Sequence, residues 1–413
     1  ARYDTLIVPA SIKNVRGFSG QLGAGDNRLQ NLYQVIGLGD EITVTNMSFA
    51  YLKNLVSINV PIRFEDSPQP FAGDESLKEI TIADGEEIVP TGAFEGCKSL
   101  EVVNLPNSLK TISERAFYET GIKTLRLGNS VQTISSEAFA KSALEELYVS
   151  STVTYISNNA FNGTYNLETI EVDSNNPIYD SRDSSNAIIL TSENKLVIGS
   201  MGTVIPTSVK TIGENSFRDS MLMEIEIPEG VTTIEANAFA ESFYLMKVLL
   251  PRSISSIDDT SFNMSGMGTP SRTVFWVWNN SYAKNRVEEL TYPYVLRDDL
   301  EEEPPLIANA AFEVIPEGYQ FSARETITPD NFVIKIYYYD EENDTVFEEP
   351  EIISDFETVY NNGYSDALIG GYNTVTFVFD TAKGYKGIKI DLNLFASFLE
   401  PEYEVPTGIT AYS

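Results

Sequence analysis

Carboxylates are the one class of chemically active side chain that this chain holds in quantity. Its 413 residues include no histidine and a single cysteine, Cys97. Ser-His-Asp and Cys-His triads are thereby excluded, along with the commonest zinc ligand and any multi-thiolate metal site. Cys97 lies in EGCKSL, where a small buried residue suits the packing. Paired carboxylates need no histidine, so the enzyme class left open is a glycosidase, with Glu146 and Glu171 as the pair to weigh. A general acid with a raised pKa requires burial in a pocket, however, and a regular repeat face offers none. The expectation is a protein that is not an enzyme. A second acidic candidate is DEENDTVFEEPE, which sets Asp340, Glu342, Asp344 and Glu351 at positions 1, 3, 5 and 12 of a calcium loop. Such a loop needs glycine at its sixth position and helices on both sides; Thr345 stands there, between strand-like flanks. A solvated hairpin tip is expected, with no metal and no other cofactor.

Charge narrows the partners. Acidic residues number 60 against 28 basic ones, a net charge of −32. Nucleic acid and anionic membrane surfaces both demand clustered Lys and Arg, so neither is expected as a partner. No run of 18 apolar residues exists, and no membrane insertion is expected. The chain opens ARYDTLIVPA, with neither initiator Met nor a basic-then-apolar leader, so either a signal peptide has been removed or the sequence has been trimmed.

The elements that would position any site are repeats. Phenylalanine recurs at 49, 71, 94, 117, 139, 161, 217, 239 and 262, in steps of 22 or 23 broken by one step of 56. Five or six residues after nearly every Phe stands an apolar residue (Leu55, Leu77, Leu100, Ile122, Leu144, Leu167, Leu222, Leu245) that opens a short alternating run such as Leu100-x-x-Val103-x-Leu105. An apolar pair such as Leu109 and Ile112 follows, then the next Phe. The alternating run predicts a short strand with one apolar face. A single unit cannot bury that face, so units must stack, pairing their strands in parallel into one long sheet. Each Phe is expected in the return segment, closing the core of its own coil.

The phrase L-x-x-I-x-L-P-x-S-V-x-x-I-x-x-x-A-F, carried for example by Leu100 to Phe117 and Leu144 to Phe161, resembles the leucine-rich repeats of BspA-like proteins. The resemblance covers residues 1 to 290 and implies a mainly β fold, α+β at the returns, with a parallel sheet along a solenoid. The 56-residue step fits one repeat plus an insertion, about 176–203, holding NPIYDSRDSSNAIILTSENKLVIGSMGTVIP. Ala187–Leu190 and Leu196–Ile198 flank a polar turn and predict a hairpin, and BspA-like proteins often carry a similar N-P-x-Y insertion. A tolerated surface elaboration is the expected reading. RTVFWVWNNSYAKNRVEEL closes the repeats as a lid; its alternative use is a sugar platform made by Trp276 and Trp278.

Past the repeats the texture changes. The expected organisation is a solenoid over 1–295, an acidic, Pro-containing linker over 296–306 and a β-sandwich over 307–413. In NFVIKIYYYD, YNTVTFVFD and GIKIDLNL apolar residues alternate: Phe332, Ile334, Ile336 and Tyr338; Val375, Phe377 and Phe379; Ile388, Ile390, Leu392 and Leu394. This segment resembles bacterial Ig-like domains, which often accompany such repeats.

Stacked strands advance about 4.8 Å each, so ten coils give a face about 45–50 Å long, suited to a macromolecule. The outward places hold the candidate binding residues: Asn104, Arg126, Tyr148 and Glu171 in one row, Thr124 and Glu146 in another. Arg126 and Tyr148 are the best anchors, because Arg and Tyr are enriched at interface hot spots. The resemblance implies an extracellular or bacterial cell-surface protein that adheres to a protein or glycan, here as a monomer. The end VPTGITAYS shows no sorting motif. The alternatives are a passive spacer or assembly module and, further off, a glycan-binding or glycan-hydrolysing protein.

Overall fold

The computed structural model describes residues 4–15, 31–65, 68–263, 273–297, 307–314, 327–328, 332–340, 345–346, 349–360 and 371–396. The chain forms two units, Ala1–Met267 with Ser281–Arg286 and Gly268–Asn280 with Val287–Ser413.

The first unit is the expected parallel-sheet solenoid. One strand of each coil pairs in parallel with that of the next: Thr5–Val8, Gln34–Gly37, Ser57–Ile58, Glu79–Thr81 and Val102–Asn104 form one ladder, and Thr124–Arg126, Glu146–Val149 and Thr169–Val172 another. The register sets Leu125 beside Leu147 and Leu147 beside Ile170, all three buried. The strict step thus stacks like on like. A second parallel ladder, unforeseen in the sequence, runs through the apolar pair of each repeat: Ile88–Val89, Thr111–Ile112, Thr133–Ile134 and Tyr155–Ile156. Its strands are two residues long, below the length at which alternation can be read.

The third wall is the phenylalanine turn. From Phe49 to Phe161 six rings stack on one another at centroid separations of 5.2 to 5.5 Å, and Phe217, Phe239 and Phe262 resume the stack at 5.0 Å. Two residues on either side of seven of these Phe the backbone turns left-handed, with φ near 54° at Arg115 and 55° at Glu119, and 52° at Glu137 and 57° at Lys141. For non-glycine residues that conformation costs roughly 1–2 kcal/mol each. It aims the N–H groups of Arg115, Phe117 and Glu119 at the carbonyls of Ser136, Ala138 and Ala140 in the next coil, at 3.1, 2.8 and 3.0 Å. Satisfied backbone groups and stacked rings offset the strain.

The insertion departs from expectation. The hairpin is present, with Ile188–Leu190 antiparallel to Lys195–Ile198. It is a wall of the solenoid, though, rather than a surface elaboration: Lys195 and Leu196 pair in parallel with Thr211 and Ile212, and Ile188, Ile189, Leu196 and Ile198 are buried. Gly199 then occupies a phenylalanine place, its N–H donating to Ser216 O at 2.8 Å. A Cβ there would lie 2.0 Å from Cε1 of Phe217, so only glycine admits that ring. The N-P-x-Y segment closes the coil before. Asn176 Nδ2 donates to Ser150 O and Val153 O, its Oδ1 accepts from Ile178 and Tyr179 N–H, and the Tyr179 hydroxyl accepts from Ile156 N–H.

At the other end of the repeats, helix Tyr282–Glu289 carries Arg286, which donates to Ile257 O and pairs with Asp259. Trp276 is 4% exposed, so the two-tryptophan platform does not exist. Its strand, Val274–Val277, buries Phe275, Trp276 and Val277 alike instead of alternating. Trp278 is half-buried under Arg297, whose guanidinium lies 4.6 Å from the ring centre.

The second unit holds antiparallel sheets. Phe332–Asp340 pairs with Ile307–Val314 and with Glu351–Ile353, while Gly371–Phe379 pairs with Glu357–Tyr360 and Ile388–Ala396. Ile334, Ile336, Tyr338, Val375, Phe377, Phe379 and Ile388 are buried as the alternation requires. Tyr385–Lys386 also pairs with Tyr294–Leu296, which runs parallel to Val274–Val277. Most of the acidic linker (298–306) and the middle of the calcium-like loop (341–344) lie outside the described residues.

In several coils the residue three places after the Phe is small and polar and returns a hydrogen bond to a turn: Cys97 to Phe71 O, Thr120 to Phe117 O, Ser242 to Phe217 O. Asp74 takes this place in the Phe71 coil. Its Oδ1 accepts from Leu52 N–H at 2.7 Å, while Oδ2 is buried without a partner among the described residues. Burial holds this carboxyl well above the usual carboxylate range, as it does the neighbouring Cys97 thiol above its own.

Two predictions follow from this packing. Phe139→Ala removes one ring from the middle of the stack and should cost roughly 3–5 kcal/mol in denaturant unfolding; a loss below about 1 kcal/mol would refute the stacking scheme. For Asp74, a native pKa above the unfolded one means that its contribution is complete below the unfolded value and is lost as pH rises through the native one. Asp74→Asn keeps the acceptor for Leu52 and cannot ionise. Its Tm relative to wild type should therefore climb as pH is raised, and a constant difference would show that Asp74 is charged in the native state.

Candidate functional site

Cross-strand register assembles the outward residues of the central coils into two rows. Thr124 stands beside Glu146, and Glu146 beside Thr169; Arg126 stands beside Tyr148, and Tyr148 beside Glu171. All are exposed except Tyr148, which is half-buried by its neighbours. Of the six residues singled out in the sequence, Thr124, Arg126, Glu146, Tyr148 and Glu171 share one ladder. Asn104 does not join them: it belongs to the preceding ladder, where its Nδ2 donates to Glu79 Oε1 and Thr81 Oγ1, each at 3.1 Å.

Tyr148 is the centre of the second row. The Arg126 guanidinium lies 5.7 Å from its ring centre, within cation–π range. Its hydroxyl donates to Asp173 Oδ2 at 3.1 Å. Asp173 is the residue that sequence reasoning missed, because it follows the strand, beyond the alternating places. The legible signal was the Asp-Ser-Asn run: Asp173 Oδ1 accepts from both the backbone N–H and the side-chain amide of Asn175, an Asx turn. Those two bonds, with the Tyr148 hydroxyl, hold the Asp173 carboxyl below its usual range. The same carboxylate raises the Tyr148 phenol, chiefly through their hydrogen bond.

The cations around this row are mostly spoken for. Arg63 bridges Glu41 and Glu86, Arg115 bridges Glu95 and Glu137, Lys110 meets Glu87 and Lys123 meets Glu145, each pair joining neighbouring coils at 2.6 to 2.9 Å. Such partly exposed pairs add little stability individually. Arg126 has no carboxylate at ion-pair distance among the described residues and faces the Tyr148 ring instead. Glu146 and Glu171 stand diagonally on an open face, which provides none of the burial a general acid needs. Among the described residues no group of three or more His, Cys, Asp or Glu side chains is placed to hold a metal ion, and no helix is long and apolar enough to cross a membrane. What the arrangement can do is present a cation, an aromatic ring and two acids, Asp173 and Glu171, on a flat and rigid surface.

Residues 67–182 and 201–271 match the BspA type leucine rich repeat region, in six copies. Over these two segments the chain carries BspA-type leucine-rich repeats. The gap between the two BspA-type segments falls on 183–200, the stretch that holds the hairpin. Solved structures similar to this chain include a leucine-rich cell surface protein from Faecalibacterium prausnitzii, at 21% identity over 68% of this chain and 80% of that one, with a TM-score of 0.40. A leucine-rich repeat protein from Bacteroides ovatus is 20% identical over 68% and 73%, with a TM-score of 0.42. The pneumococcal vaccine antigen PcpA is 15% identical over 69% and 86%, with a TM-score of 0.37. No curated protein matches the sequence.

The Tyr148–Asp173 bond has a direct readout. In a chain carrying 13Cζ-labelled tyrosine, the Tyr148 resonance should titrate above the ordinary phenol range and shift downward in Asp173→Asn. An unchanged titration would mean the bond is not formed in solution.

Proposed function

We propose that this chain is a non-enzymatic, adhesin-like binding protein that acts outside the cell or on the bacterial surface and grips a protein or glycan through its sheet face. One observation supports this above the others: the Arg126–Tyr148–Asp173 arrangement, in which a cation without an ion-pair partner among the described residues leans on a ring that is itself anchored. Arg and Tyr recur among interface hot spots because each offers a large area with directional bonding at low entropic cost. The leucine-rich repeats support a binding role, and the BspA-like resemblance supports the surface location. We further propose that Thr124, Glu146 and Glu171 frame this centre and that Asn104 marks its edge. The organisation we favour is a solenoid over 1–295, a linker over 296–306 and an Ig-like sandwich over 307–413, the whole chain acting as a monomer.

The test is binding of the purified chain to arrays of host matrix proteins and glycans, beside a folded Arg126→Glu/Tyr148→Ala variant. Binding by wild type that drops at least about tenfold in the variant is the expected result. Binding that survives unchanged would move the site elsewhere, and silence of both proteins across the arrays would favour a passive spacer.

A further inference from the structure

A different surface stands out where the coils meet their face strands. The residue just before each strand is charged through the central coils: Lys78, Glu101, Lys123, Glu145 and Glu168 are all charged, and all but the half-buried Glu145 are exposed. In the last two coils the same place holds Met223 and Met246, and the Met246 N–H donates to Met223 O at 2.8 Å, which sets the two together. Nearby turn residues are apolar as well. Ser220 and Ser242 touch through their hydroxyls at 3.1 Å, which brings Met221, next along the chain, up to Phe243 and Tyr244. Met201 and Met221 line one shallow recess with Thr164 and Asp219, and the neighbouring Tyr165 hydroxyl donates to Asp219 at 3.2 Å. Four of the chain's seven methionines fall in this one patch, which chance placement along the chain would not give.

Exposure is high for such residues: 58% at Met223, 56% at Tyr244, 41% at Tyr165 and 38% at Phe243. None of them is needed to fill the core, which the inward Leu222 and Leu245 already occupy. Exposed clusters of methionine and aromatic side chains mark contact surfaces, and methionine adapts its shape to varied apolar partners. The surroundings are acidic. Glu168, Glu224 and Glu226 are exposed around the patch, and Asp219 and Glu241 are half-buried beside it. The adjacent cations are Arg218, which faces Glu241 at 3.9 Å, Lys247, and Lys141 beside Tyr165, fewer than the five carboxylates.

We propose that this edge of the last two coils docks a polypeptide segment whose apolar side chains are flanked by lysine or arginine. The methionines and aromatic rings receive the apolar side chains, and the surrounding carboxylates face the cations and orient the segment. The surface lies off the Arg126–Tyr148 row, so it stands or falls independently of that site.

The test uses the full chain and three labelled synthetic peptides followed by fluorescence anisotropy: helical leucine–lysine, helical leucine–glutamate, and serine–lysine. Wild type should bind the leucine–lysine peptide and neither of the others. Met223→Glu and, separately, Tyr244→Ser alter exposed side chains, and each should weaken that binding at least about tenfold with Tm unchanged. Arg126→Glu/Tyr148→Ala should leave it intact. Absence of leucine–lysine binding, equal binding of serine–lysine, or affinity unmoved in both patch variants would overturn the proposal. So would concentration-dependent dimerisation that Met223→Glu abolishes, since the occupant would then be a second copy of the chain.

Discussion

The contact of one phenylalanine ring with the next, at 5.0 to 5.5 Å, sets the terms on which the rest of the first unit is built. A coil of 22 residues has no interior of its own: every apolar side chain it turns inward needs the coil above and the coil below as its walls. The ring stack fixes the rise, and the rise obliges both parallel ladders to keep register. Registered ladders then repeat the same outward places at every coil. The surface is therefore ordered by the core, with Arg126, Tyr148 and Glu171 brought side by side although 22 and 23 residues separate them in sequence.

Much of this was legible because the repeat is strict. The inward residues Leu125, Leu147 and Ile170 and the outward Thr124 and Glu146 follow from the two-residue period of a strand, once the 22-residue step is seen. What escaped notice lay where periodicity gives no information. The second ladder consists of two-residue strands. Asp173 acquires its place from a local turn made by Asn175, and the burial of Trp276 reflects a strand covered on both sides. In the last two cases the deciding contact is made by a residue outside the repeat phrase.

The insertion shows how such an array tolerates irregularity. A break in the phrase could have left an open edge on the Phe161 coil. Instead Asn176 and Tyr179 satisfy the carbonyls and the N–H left exposed there, and the strand Lys195–Ile198 presents a fresh ladder to the next coil. Both ladders restart there, and the ring stack is interrupted, with Gly199 making room for Phe217. The place just before each face strand changes character across the insertion, from Lys123, Glu145 and Glu168 before it to Met223 and Met246 after it.

The left-handed turns around each phenylalanine have an electrical consequence. Glu114 O, Ala116 O and Tyr118 O accept from the preceding coil, while the N–H groups of Arg115, Phe117 and Glu119 donate to the following one. Each carbonyl shares a peptide group with the N–H that succeeds it, so the peptide dipoles of these turns point the same way along the stack. Dipoles of neighbouring peptides in a β-strand alternate and largely cancel, whereas aligned ones sum, as they do along an α-helix. The bond from Gly199 to Ser216 keeps the same sense across the insertion. The phenylalanine edge is thus a macrodipole parallel to the solenoid axis, negative toward the Phe49 coil and positive toward the Phe262 coil, and every repeat added would lengthen it.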